Sequence, residues 1–197
     1  MSLAGFYGAA DDSESLRCLS AAMDLGVDHL DTAERYGSGH SESVIGAFLK
    51  QSGAKPSIAT KGGIYTNPKR YYDNGPEALR ASLEGSLKRL GVDHVDLYYV
   101  HRREEARPIE DVMETLVRFI DEGKIGAIGF SEIAPASLRR AHAVHPVAAV
   151  QSEYSLWTRQ PELGLLQTCK ELGVTLVAFS PLARGVFADT FPDPQTF

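Results

Sequence analysis

The chain has 197 residues, 43% of them apolar, enough for one domain (residues 1–197) with a substantial core. Its net charge of -6 and pI near 5.5, with no Lys/Arg cluster, argue against nucleic acid or an anionic membrane surface as a partner. No apolar run approaches a spanning length, and Met1 to Gly5 has neither the basic nor the apolar part of a signal peptide, so the expected location is cytoplasmic.

A unit of helix, Gly and strand repeats along the chain. Asp12 or Ser13 suits the cap of a first helix carrying Leu16, Leu19 and Met23, with Gly26 at its left-handed C-terminal position; a strand from Val27 to Thr32 follows. Ser41 starts a short helix with Val44, Ile45, Phe48 and Leu49, ending near Gly53, before a strand from Ser57 to Gly62. Tyr65, Tyr71 and Tyr72 lie in a long polar loop, read either as a lid or as surface. Pro76 opens the clearest helix, with Leu79, Leu83, Leu87 and Leu90 on one face and Gly91 as its stop, followed by a strand from Val95 to His101.

Pro108 opens the next helix, with Ile109, Val112, Leu116 and Phe119, closed by Gly123 ahead of a strand from Ile125 to Ser131. A helix from Pro135 to Ala143 leads to a strand from Val147 to Ser152. Leu163, Leu166, Cys169 and Leu172 then form a helix face ending at Gly173, before a strand from Thr175 to Ser180. Cys18 and Cys169 fall at apolar-periodic positions and are expected to be buried thiols without disulfide or metal roles. Tyr154 and Trp157 are read equally as a pocket wall and as ordinary packing.

Strands alternating with helices and apolar on both faces argue a parallel sheet covered by helices. A doubly wound dinucleotide fold would place G-x-G-x-x-G after its first strand; Gly37-Ser38-Gly39 is followed by Ser41 and Glu42, without the third Gly. Asp31, Lys61, His101, Ser131, Gln151 and Ser180 instead fall at or near the C-terminal ends of successive strands, the face on which (β/α)8 TIM barrels build their sites. Each alone has a structural explanation: Asp31 as a loop cap, Lys61 as a solvated strand end, Ser131 as a turn former, Gln151 as a satisfied core amide. The ring of them is what packing does not explain.

The residue types suggest a chemistry. A Lys ammonium beside a phenol favours the phenolate, so Lys61 would make Tyr36 a usable proton donor at neutral pH. Asp31 would hold Lys61 charged and in place, and His101 would donate a hydrogen bond to a carbonyl oxygen. That grouping suits proton delivery to an oxygen whose carbon receives hydride, and hydride must come from a cofactor. A metal-dependent hydrolase is disfavoured, because the six His are scattered and no His-x-His ends a strand.

In Leu30-Asp31-Thr32-Ala33 with Tyr36-Gly37, Ala59-Thr60-Lys61, Leu87-Lys88-Arg89-Leu90-Gly91 with Asp96 to His101, Gly123-Lys124-Ile125 with Gly129-Phe130-Ser131, and Phe179-Ser180-Pro181-Leu182, the chain resembles the aldo-keto reductases. The segments from Arg139 to Val147 and from Tyr154 to Arg159 are similar to the branch that includes plant perakine reductase. The resemblance implies that Tyr36 is the general acid of a tetrad with Asp31, Lys61 and His101, reducing a small aldehyde or ketone with NADPH, or alternatively NADH. It implies that Ser131 and Gln151 hold the carboxamide, that Phe179 stacks on the nicotinamide, and that Ser180, Leu182 and Arg184 line the pyrophosphate path.

Two departures from the family pattern stand out. Glu132 occupies the place where many members have Asn, although the perakine-reductase branch looks similar there. Against the family barrel, about six of the eight βα units are expected, with the first and eighth strands outside the sequence. The edges bearing Asp31 and Phe179-Ser180 would then be open to self-association. The alternative reading that follows is a non-catalytic or regulatory reductase-like fragment lacking the full cofactor site.

Overall fold

The computed structural model describes residues 2–5, 8–66 and 69–189. Helix α1, Asp12–Asp24, is capped by Asp11, whose carboxylate accepts the Glu14 N–H at 2.8 Å. The cap therefore sits one residue before the positions expected; Ser13 instead donates its hydroxyl to that carboxylate. Strand β1 is only His29–Asp31, shorter than the expected span from Val27. The Val27 N–H is already spent closing α1 against the Ala22 carbonyl, so it cannot join a ladder. Cys18 is exposed, contrary to expectation, because α1 buries the face of Ser15 and Leu19; Cys169 is buried as expected.

Helix α2, His40–Ser52, runs between Gly39 and a left-handed Gly53, and β2 spans Ser57–Gly62. The long polar loop holds a two-stranded antiparallel hairpin, β3 Ile64–Tyr65 with β4 Tyr71–Tyr72, in which Tyr65 and Tyr71 stack at 5.2 Å. Helix α3, Pro76–Leu90, has Pro at its start and Gly91 in the left-handed conformation at its end, as the sequence leads one to expect. Strand β5 Val95–Val100, helix α4 Ile109–Asp121, strand β6 Ile125–Ser131, helix α5 Pro135–Val144 and strand β7 Ala149–Glu153 follow. A 3-10 turn over Gln160–Leu163 precedes helix α6, Leu165–Leu172, and β8 is Thr175–Phe179.

The helix face expected from Leu163 is displaced. Gly164, with φ 136°, breaks the chain between the 3-10 turn and α6, so Leu163 is exposed and the buried stripe is Leu165, Thr168 and Cys169.

Six strands form one parallel sheet in the order β1-β2-β5-β6-β7-β8, each joined to the next by a helical connection. This α/β arrangement is a curled part of a (β/α)8 barrel, with six parallel strands in its main sheet and six α-helices among the described residues. The period of two along each strand sorts the side chains. Ile58, Tyr98, Val100, Ile128, Phe130 and Val150 join Leu79, Leu83, Leu116, Phe119 and Leu138 in the main core under the helices. The alternate residues Ala59, Tyr99 and Ala149 make a smaller cluster on the other face, with Leu97 and Val177 against it. Asp31, Lys61, Ser131, Gln151 and Phe179 have that second parity, so the fold delivers them to the concave side.

Close approach between layers depends on specific glycines. A Cβ at Gly62 would lie 2.0 Å from Ser82 Oγ and 2.2 Å from the Tyr98 hydroxyl, two atoms hydrogen-bonded to each other at 3.2 Å. Gly62→Ala is therefore expected to destabilise the chain by about 1–3 kcal/mol, read as a lower denaturant midpoint at unchanged slope. A midpoint equal to the parent's would show that α3 gives way freely at Ser82.

Candidate active site

Asp31 ends β1 and Lys61 is one residue from the end of β2, and their side chains meet. The Lys61 ammonium donates to Asp31 Oδ1 and to the Thr32 carbonyl at 2.8 Å. Lys61 is fully buried, whereas the Asp31 side chain keeps 31% of its exposure. Burial pushes the Lys61 pKa down, and the Asp31 charge and hydrogen bond pull it back up in part. The other Asp31 oxygen, Oδ2, accepts from Gln151 Nε2 at 2.9 Å, an anchor across the sheet that the sequence did not announce.

Tyr36 lies in the turn between β1 and α2. Its N–H bonds the Ala33 carbonyl at 3.0 Å, and its own carbonyl accepts the Ser41 N–H at 3.3 Å. Its ring is edge-on to His101, with centroids 5.8 Å apart and planes at 84°, and the Lys61 Nζ is 5.4 Å from its centroid. Lys61 stands equally far, 5.4 Å, from the buried Tyr99 ring. Gly129 makes room for that ring, since a Cβ there would come within 2.5 Å of it.

His101 follows β5 directly, and its N–H bonds the Gly62 carbonyl at 2.8 Å. It is buried, with Nδ1 enclosed and without a hydrogen-bond partner among the described residues. Burial first, then the charges of Lys61, Arg102, Arg70 and Arg35, push its pKa from 6.5 down to about 3, so the imidazole is neutral across ordinary pH. The folded value lies below the unfolded one, so the unfolded chain binds more protons between the two. Stability from this group is full above about pH 6.5 and is lost as pH falls toward 3. His101→Asn is accordingly expected to flatten the fall in unfolding free energy over that window by a few kcal/mol, measured by urea titrations at several pH values. Parallel pH profiles for parent and variant would contradict it.

The remaining sequence-marked residues spread along the same face. Ser131 ends β6, buried, and its Oγ accepts from Arg102 Nη1 at 2.8 Å; the same nitrogen donates to the His101 carbonyl at 2.7 Å. Gln151 is buried in β7 and pairs in register with Ser131. Phe179 ends β8 half-buried, Ser180 follows with φ 52°, and Leu182 is 56% exposed. The Arg184 side chain lies outside the described residues. Glu132, with φ 59°, turns its carboxylate to accept the Glu153 N–H at 2.8 Å. Non-glycine residues at positive φ just past the ends of β6 and β8 are the kind of local strain that gathers at functional rims.

Trp157 is 79% exposed, and Tyr154 donates its hydroxyl to Glu162 at 2.9 Å, so the loop after β7 holds its shape through polar bonds while presenting an indole to solvent. Arg102 and Asn74 were missed by sequence reasoning. Asn74, fully buried, donates to the Arg102 carbonyl and accepts the Glu104 N–H, tying the hairpin to the loop after His101. Two cavities, of about 440 Å³ between α1 and α2 and about 350 Å³ beside Glu132 and Leu163, are not lined by Asp31, Tyr36, Lys61 or His101; the convergence of polar groups marks the site better than cavity size. No group of three or more His, Cys, Asp or Glu able to hold a metal occurs among the described residues, and no helix among them is long and apolar enough to cross a membrane.

The model of the aldo/keto reductase family matches residues 1–196. The chain belongs to the aldo/keto reductase family. It is similar to the NADP(+) aldo-keto reductase yakc of Schizosaccharomyces pombe, with 40% identity over 205 residues covering 100% of this chain and 60% of that protein. Similarity to the probable aldo-keto reductase 1 of Glycine max is 41% over 191 residues, covering 95% of this chain and 55% of the relative. Among solved structures, the glycerol dehydrogenase of Gluconobacter oxydans superposes with a TM-score of 0.88 at 29% identity, over 98% of this chain and 63% of that one. This family member thus spans between 55% and 60% of the length of these two curated relatives.

Proposed function

We propose that this chain reduces an aldehyde or ketone to the alcohol with NADPH, Tyr36 serving as the acid. The observation that carries the reading is the buried Lys61, paired with Asp31 and standing 5.4 Å from the Tyr36 ring, while Tyr36 sits edge-on to a neutral His101. In this arrangement Lys61 draws negative charge toward the phenol oxygen and so eases its loss of a proton to a substrate oxygen. Asp31 keeps the ammonium charged and oriented, and is itself held by Gln151. A neutral His101 can donate one N–H to the same carbonyl oxygen, which polarises it without placing a second positive charge beside Lys61.

A bound reduced nicotinamide supplies the hydride. The residues present fit such a group. Ser131 accepts from Arg102, which leaves its hydroxyl proton to be given to a carboxamide oxygen; Gln151 is buried one strand away; and Phe179 is a half-buried ring at the end of β8. NADPH is proposed over NADH because the yakc relative carries NADP(+) in its name. The segments from Arg139 to Val147 and from Tyr154 to Arg159 support membership of the perakine reductase-like branch, and the substrate proposed is a small carbonyl compound.

The test is a titration of the purified 197-residue chain with NADPH, followed by nicotinamide and Trp157 fluorescence, then addition of a simple aldehyde. Saturable binding with aldehyde-dependent loss of reduced cofactor is expected. A folded chain that neither binds nor turns over would favour the non-catalytic reading.

A further inference from the structure

The turn that carries Tyr36 is gripped on both sides by one guanidinium. Arg89, near the end of α3, donates from Nε to Glu42 Oε2 at 2.7 Å, and its Nη2 stands 3.7 Å from Glu34 Oε1. Glu34 precedes Tyr36 in the turn, and Glu42 follows it on the first turn of α2.

Each carboxylate has a second tether. Glu42 is fully buried and accepts the Thr60 hydroxyl at 2.5 Å, on the residue before Lys61. Glu34 accepts the Ser82 hydroxyl at 2.5 Å, and its N–H bonds the Lys61 carbonyl at 3.1 Å. Two glycines clear the path of the arginine stem. A Cβ at Gly39, where φ is 92°, would lie 2.6 Å from Arg89 Cδ and Nε, and one at Gly85 would lie 3.0 Å from Nη1.

Stability alone is a weak account of such a cluster. Val44, Ile45, Phe48, Leu83, Leu87 and Leu90 already bury apolar surface where α2 and α3 meet. Glu42 is buried, but Arg89 and Glu34 keep 28% and 27% of their side-chain exposure, and partly exposed ion pairs add little net stability, so the better-attested use of such a cluster is to hold one arrangement against others. The arrangement held here is that of Tyr36 relative to Lys61, because the same cluster bonds the chain on both sides of the phenol and beside the lysine.

We propose that Arg89, through Glu34 and Glu42, is a positioning residue for Tyr36, fixing the turn so that the phenol stands in a single pose beside Lys61 and His101. The proposal rests on the reading of Tyr36 as the acid, and its test separates the two. In the 197-residue chain with isotope-labelled tyrosine rings, the Tyr36 and Tyr154 NMR signals are assigned by their disappearance in Tyr36→Phe and Tyr154→Phe, with Tyr154, whose hydroxyl is held by Glu162, as reference. Arg89→Met is expected to shift and broaden the Tyr36 signal and leave Tyr154 unmoved, with partial recovery in Arg89→Lys. Aldehyde turnover should fall about 100-fold at nearly unchanged KM, the size of effect a misplacement of about 1 Å produces.

An unmoved Tyr36 signal, or a drop in melting temperature with kcat intact, would overturn the proposal. Should Arg89→Met fail to fold, Glu34→Gln leaves the Arg89–Glu42 pair in place and is judged by the same signals. If the parent chain turns over no aldehyde, the function proposed above fails, while the NMR comparison still decides the positioning role.

Discussion

Tyr36→Phe is expected to bind NADPH as the parent does and to reduce a simple aldehyde about 100- to 10,000-fold more slowly, the usual weight of a positioned proton donor. The change removes one oxygen. The ring keeps its edge-on contact with His101 and its place beside Lys61, so the variant is expected to fold, which a circular dichroism spectrum checks. The loss should fall on kcat and kcat/KM together, because the proton is given only in the transition state. Steady-state kinetics beside cofactor titration checks this. A variant that keeps a tenth or more of the parent's kcat, a loss of less than about one decade against the two or more expected, would remove Tyr36 from the chemistry.

The Asp31–Lys61 pair should respond asymmetrically to substitution. Lys61 is buried and Asp31 partly exposed, so the ammonium is the group that pays for desolvation. Asp31→Asn removes the charge that balances that ammonium and leaves it only neutral acceptors such as the amide oxygen and the Thr32 carbonyl, and is expected to cost about 2–3 kcal/mol near neutral pH, less than a fully buried pair because Asp31 already touches solvent. The cost should shrink as pH rises and Lys61 sheds its proton, since burial already holds its pKa low. Lys61→Met removes the buried charge itself and leaves Asp31 bonded to Gln151, so stability should change by only about 1 kcal/mol while turnover falls about 100-fold or more. Urea unfolding of both variants at two pH values, with kinetics, separates the contributions. Equal stability losses would mean the burial difference is immaterial.

The features legible in the sequence are those with a short period or a local stereochemical cause. Apolar runs ending in Asp31, Lys61 and Ser131, together with His101 just past the end of β5, announced parallel strands, and the period of two then fixes which side of the sheet those groups take. Gly53, Gly91 and Gly173 marked helix ends because each must adopt a left-handed backbone. What could not be read were pairings between distant segments. Arg89 with Glu34 and Glu42, Gln151 with Asp31, and Arg102 with Ser131 each join two elements, and an exposed-looking Glu or Arg carries no period that foretells its partner. Glu42 sits among polar neighbours in the sequence yet is fully buried; Gly39 and Gly62, flanking the acid turn and the lysine strand, were the hint available, since each leaves space that a partner fills. Leu163 misled for a local reason, the break at Gly164, and Cys18 because the apolar stripe of α1 is narrow.

The most direct measurement is a single turnover of the 197-residue chain with NADPH deuterated at the transferable position and a simple aldehyde, with the alcohol examined by mass spectrometry. Deuterium on the carbinol carbon, one oxidised cofactor per alcohol, and loss of both in Tyr36→Phe is the expected result. Saturable cofactor binding without deuterated alcohol, or deuterated alcohol formed equally by Tyr36→Phe, would contradict it.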